Sequence, residues 1–91
     1  MHQLMRIREE GGRIIAMLHL KHLPPDAFLL SAFKRRFPDC VLEIRGRNDE
    51  HHKVTLVYPG IITDDAIGTF LRDVSVESVR LSMRDEELTP P

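Results

Sequence analysis

Along this chain the apolar positions switch between the two-residue period of a strand and the three-to-four-residue period of a helix, and each switch marks an element. Arg13 to Leu20 reads RIIAMLHL, almost continuously apolar, which predicts a central strand covered or partly covered on both faces. Leu23, Pro24, Pro25 and Asp26 break that run, and a proline suits a first helical turn, where its missing N–H has no partner to lose. Phe28, Leu29, Ala32, Phe33 and Phe37 then share one helical face, with Lys34, Arg35 and Arg36 in the last turn at the negative end of the dipole, before Pro38. From Cys40 to Arg45 the positions Val41, Glu43 and Arg45 alternate with Leu42 and Ile44, a period of two with one face apolar and a second strand. Gly46 to Glu50 is a polar loop, and Lys53 to Tyr58, rich in β-branched residues, is a third strand closed by Pro59 and Gly60. Thr63 is placed as an N-cap, with Asp64 and Asp65 behind it, and Ala66, Ile67, Phe70, Leu71 and Val74 form the stripe of a second helix. Val76 to Met83 alternates Val79, Leu81 and Met83 with Ser78, Arg80 and Ser82, which predicts a fourth strand.

The order strand, helix, strand, strand, helix, strand predicts an α+β fold of the ferredoxin-like, split βαβ kind (β-α-β-β-α-β): a four-stranded antiparallel sheet with two helices on one face. Ninety-one residues suffice for one such core and not for two. The expected division is an N-terminal extension over 1–12, the ferredoxin-like domain over 13–84 and a charged tail over 85–91.

With Ile14, Ala16, Leu18 and Leu20 turned toward the helices, the open face of the sheet collects Ile15, Met17 and His19, together with Val57 and Thr55 or their alternate neighbours. Glu43, Arg45, Ser78 and Arg80 are expected to flank it, giving an apolar centre with a polar rim, the pattern of an interface. The expected interface residues are therefore Ile15, Met17, His19, Arg45, Val57 and Arg80. A second arrangement is that Leu4, Met5 and Ile7 fold back over the patch within one monomer.

Charge changes the picture by subtraction. Thirteen Lys and Arg balance 14 Asp and Glu, so no overall positive field favours nucleic acid. One cysteine, Cys40, allows no internal disulfide and fits a reducing compartment, the cytoplasm. No stretch reaches the roughly 18 apolar residues of a membrane span, so direct insertion by this chain is not expected, although it could be part of a membrane protein.

Candidate chemistry is sparse. His2, His19, His22, His51 and His52 can bind metal or move protons near neutral pH, but no His-Glu-x-x-His or Cys-x-x-Cys spacing is present. Adjacent His51 and His52 would point to opposite faces of a strand, leaving His19, His52 and Asp49 as the conceivable metal set. An acylphosphatase needs an arginine in a phosphate-cradling loop after the first strand, where this chain has Lys21, His22, Leu23, Pro24 and Pro25. A Cas2-like nuclease needs a metal-binding aspartate where His19, Leu20 and Lys21 stand. Base stacking on the first and third strands needs aromatic residues, and only Tyr58 is there. Asp26, Asp64 and Asp65 are accounted for by helix capping and dipole compensation. No catalytic residue and no cofactor is expected.

The stretch from Arg13 to Met83 resembles, in element order and apolar pattern, the ACT-like regulatory domains, including the cytoplasmic C-terminal domain of the MgtC/SapB family. Ligand-binding ACT domains carry a Pro-Gly pair between the first strand and first helix; the corresponding position here looks like Pro24-Pro25-Asp26, so the resemblance implies regulation without naming a ligand. Asn48 to Tyr58 also looks like the small YbeD-type domains of the same topology. The expectation is a non-catalytic regulatory or protein-interaction domain acting through its open sheet face, as a homodimer or with a protein partner. The alternative is a small-molecule or metal-responsive domain, or a small enzyme of the dimeric α+β barrel type, using His19.

Overall fold

A computed structural model describes the backbone of residues 3–88 and the side chains of 4–83. Strands β1 (Gln3–Glu10) and β2 (Arg13–His19) form a hairpin; helix α1 (Asp26–Arg36) leads to β3 (Glu43–Asn48) and β4 (Lys53–Pro59), and helix α2 (Asp64–Leu88) follows. One antiparallel sheet runs in the order β1-β2-β4-β3. β2, α1 and β3 make a crossover with β4 inserted between the two strands, which is the split βαβ arrangement expected of a ferredoxin-like α+β fold.

The fourth strand comes from the other end of the chain. Gly11 and Gly12, at φ of 59° and 77°, make the two-residue turn that joins β1 to β2, a left-handed pair that glycine adopts without a Cβ penalty. β1 thus takes the edge position beside β2. The expected strand over 76–83 is instead the second half of α2. Two causes favour this: the edge is filled, and no Gly or Pro separates Val74 from Met83, so the helix begun by Thr63 continues. Thr63 is the cap, its Oγ1 accepting from the Ala66 N–H at 3.1 Å.

The core lies between one face of the sheet and the two helices. Ile14, Ala16 and Leu18 of β2 and Val54, Leu56 and Tyr58 of β4 meet Leu29, Ala32 and Phe33 of α1 and Ile67, Phe70, Leu71 and Val74 of α2. Where the helices touch, the Phe33 ring meets Phe70 edge-on at 5.5 Å and Phe37 at 5.0 Å. Arg6 of β1 reaches across to the start of α2, its Nη2 donating to Asp64 Oδ1 at 2.6 Å. Arg36 reaches Asp73 at 3.3 Å, tying the end of α1 to α2.

α1 stops at Arg36, ahead of Pro38 as expected. β3 begins at Glu43, later than the alternation from Cys40 suggests, and its register slips between Ile44 and Gly46. Its turn to β4 closes on His52, held at φ of 54°, with the His51 N–H donating to Asn48 Oδ1 at 3.1 Å.

Two glycine substitutions test this account. Gly12→Val forces a β-branched residue into the left-handed region and should destabilise the protein by about 1–3 kcal/mol. Gly68→Ala, inside α2 with open space around a new Cβ, should stabilise it by about 0.5–1 kcal/mol. Urea unfolding of both variants reads the two signs.

Candidate functional site

Register alone arranges the open face of the sheet in rows that run across the strands. One row is Arg8, Ile15, Val57, Glu43; the next is Met5, Met17, Thr55, Gly46; beyond it lie His19, Lys53 and Asn48. The face carries Ile15, Met17, His19 and Val57, four of the six residues expected there.

The apolar centre is divided. Ile15 and Val57 are 5% and 1% exposed, although no element lies over them among the described residues. Arg8 and Glu43 are their partners in register, and Arg13 precedes Ile15 by two on the same face; long side chains so placed shield apolar neighbours with their aliphatic stems while the charged ends stay wet. Those ends are linked: Glu43 pairs with Arg45 at 2.8 Å and with Arg13 at 3.7 Å, and Arg8 with Glu10 at 3.4 Å. The Arg45 hydrogen bond holds the Glu43 carboxyl below its ordinary range, and the same bond raises the Arg45 guanidinium. Exposed pairs of this kind contribute little energy. Their effect here is to close half of the face.

The other half is open. Met5 is 58% exposed and stands in register with half-buried Met17; with His19 and Lys53 they line a shallow cavity of about 290 Å³. Thr55 continues the row, and Gly46 ends it with no side chain and nothing within 4 Å of where a Cβ would lie. Leu4, Met5 and Ile7 do not fold back over the patch. β1 lies in the plane of the sheet, so Leu4 packs on the helix side, Met5 enlarges the open face, and Ile7 sits 53% exposed at a bulge.

Arg45 lies at the β3 bulge beside this face, held to Glu43. Arg80 does not flank it. Being on α2 rather than on a strand, Arg80 lies on the far side of the sheet, in a cleft with Leu20, Lys21 and His22; Ser78 moved with it. His19 is on the open face, while His52 and Asp49 line a helix-side cleft with His22. Among the described residues no three His, Cys, Asp or Glu side chains gather into a metal-holding group.

One residue was not singled out by the sequence. Arg47, in register with Val54 on the helix side, donates to the Pro24 carbonyl at 2.6 Å, Asp26 Oδ1 at 2.8 Å and Asp49 Oδ1 at 2.8 Å. Partial burial pulls its guanidinium down, and the hydrogen bonds to Asp26 and Asp49 outweigh this, leaving it raised. It fastens the Pro24-Pro25-Asp26 loop to the β3–β4 turn. Its alternation with Glu43 and Arg45 in the sequence is the signal that could have placed it on the strand.

No protein-family model, no curated protein and no solved structure matches this chain.

Because Arg45 depresses Glu43, the carboxylate stabilises the fold above its unfolded pKa of 4.5, and that contribution is lost as pH falls through the lower folded value. The thermal midpoint of Glu43→Gln should therefore lie slightly below wild type at neutral pH, with the gap closing as pH drops from about 5 toward 2. A calorimetric pH series measures the gap; one that widens toward acid would contradict the assignment.

Proposed function

We propose that this chain is a non-catalytic protein-interaction domain of a regulatory, ACT-like kind, working through the open face of its sheet. One observation carries the reading: β1 sets exposed Met5 beside half-buried Met17 on that face, with Thr55 and the bare Gly46 continuing the row. Methionine is unbranched and polarisable, so such a row can repack around different apolar side chains. The rim of Arg8, Glu10, Arg13, Glu43 and Arg45 mixes both signs, which suits a protein surface better than a polyanion.

The sheet edges are poor alternatives. β1 and β3 each carry a bulge and a run of charge, Arg6 to Glu10 on one and Glu43 to Arg47 on the other, and both features discourage strand addition. The lone Cys40 suits a reducing compartment such as the cytoplasm. Among the described residues no helix is long and apolar enough to cross a membrane.

The methionines report on the reading directly. In a methyl NMR titration of methionine-labelled protein with Nile red, a neutral apolar probe, the Met5 and Met17 methyls should shift. Met17→Glu, which puts a charge into the row, should weaken binding by tenfold or more, with an unchanged circular dichroism spectrum. Shifts confined to Met83, or a variant that binds like wild type, would refute the open-face reading.

A further inference from the structure

Between Arg72 and Arg80 the charges of α2 are sorted by side. Asp73 and Glu77 line a groove toward α1, where Asp73 already meets Arg36. Arg72 and Arg80 stand instead in a cleft of about 310 Å³ between α2 and the loop that leaves β2. Leu20, Lys21 and His22 form the loop wall, and Ser75, Val76 and Val79 complete the helix wall. Leu20 is buried while Val76 is 47% exposed, so the cleft has an apolar lining that is open to solvent. Among the described residues no acidic side chain lines it.

These cations are unlike the others of the chain. Arg6, Arg8, Arg13, Arg36, Arg45 and Arg47 all have acidic partners. Among the described residues the arginines outside every ion pair are Arg35, Arg72 and Arg80, two of which share this cleft with Lys21, itself unpaired. The chain as a whole has a formal charge of −1, so the positive charge here is local. A concave, low-dielectric surface of one sign focuses its field on whatever enters it. An apolar lining with a few charged groups, in a volume of this order, is the composition of a small-molecule site.

We propose that this cleft binds a small aliphatic carboxylate, its chain against Leu20, Val76 and Val79 and its head among Lys21, Arg72 and Arg80. Charge requires the anion, because a neutral apolar molecule leaves three cations unanswered beside it and a cation is repelled. The lining selects the body: no Phe, Tyr or Trp is present to offer a ring face for a nucleobase. Position selects the head. Phosphates are commonly cradled by backbone N–H groups at a helix N-terminus, and this cleft begins at Arg72, roughly 12 Å along α2 from Asp64. A guanidinium instead meets a carboxylate through two parallel N–H bonds, and the Ser75 hydroxyl is a further donor on the same wall. The cleft lies on the helix side of the sheet, so the inference is independent of the reading of the Met5–Met17 face.

Titrating the isotope-labelled full chain with octanoate, followed by amide NMR, tests it. The Lys21, His22, Val76 and Val79 resonances should move together and saturate with a Kd of about 1 mM or tighter. The neutral isostere 1-octanol, at matched concentrations, should give no saturating shift there. Lys21→Glu and Arg72→Glu should each weaken octanoate binding about tenfold or more, with unchanged circular dichroism, while Glu77→Gln and Met17→Glu should bind as wild type does. Octanol that binds as tightly as octanoate overturns the proposal. So do shifts centred on Met5 and Met17, charge-reversed variants that bind like wild type, or no saturation by about 10 mM octanoate.

Discussion

The structure depends on the double pairing of β2. This strand is hydrogen-bonded to β1 on one side and β4 on the other, and its alternation decides which half of every neighbouring strand belongs to the core. Ile14, Ala16 and Leu18 go under the helices; Ile15, Met17 and His19 go to the open face. A slip of one residue would exchange the two sets. The core, the Met5–Met17 row and the closed patch over Ile15 and Val57 all inherit this register. Even the loops obey it, since the Leu20 N–H leaving the strand donates to the His52 carbonyl at 3.1 Å.

With both middle strands paired and both edges bulged and charged, contact with other molecules is left to faces. The two faces that remain differ in kind. On the sheet, an adaptable methionine row is framed by ion pairs that are already satisfied. On α2 beyond Val74, Val76, Leu81 and Met83 stand exposed without such a frame of ion pairs among the described residues.

Much of the fold was legible in the sequence, because the signals that carried it were local. RIIAMLHL reads as a covered strand by its short length and its flanks, Gly12 before it and Pro24-Pro25 after it, and Pro25 and Thr63 mark helix starts. The fourth strand was not legible in this way. Val76 to Met83 satisfies a period of two through Val79, Leu81 and Met83, and also a helical stripe through Arg72, Val76, Val79 and Met83; over so few residues the two patterns cannot be separated by counting. The choice is made at a distance, by which segment takes the edge beside β2, and the local sign of that outcome was Gly11-Gly12. Arg80 was misplaced with its element. On the open face the membership of Ile15 and Val57 followed from alternation, but the placing of Arg8, Arg13 and Glu43 from three strands around them comes only from the register.

Filling the edge from the N-terminus also sets an order of events during synthesis. β1 and β2 are separated by two residues, so their hairpin closes on the microsecond scale and with minimal sequence separation. The most apolar segment of the chain gains its charged neighbour, with Arg6, Arg8, Glu9 and Glu10, before α1 exists. A strand supplied by a later segment such as 76–83 would leave RIIAMLHL unpaired on that side until that segment was made, and long-lived bare β-edges of that composition seed aggregation. The hairpin acts as an escort as well as an edge: it accompanies the central strand through the interval when nothing else can.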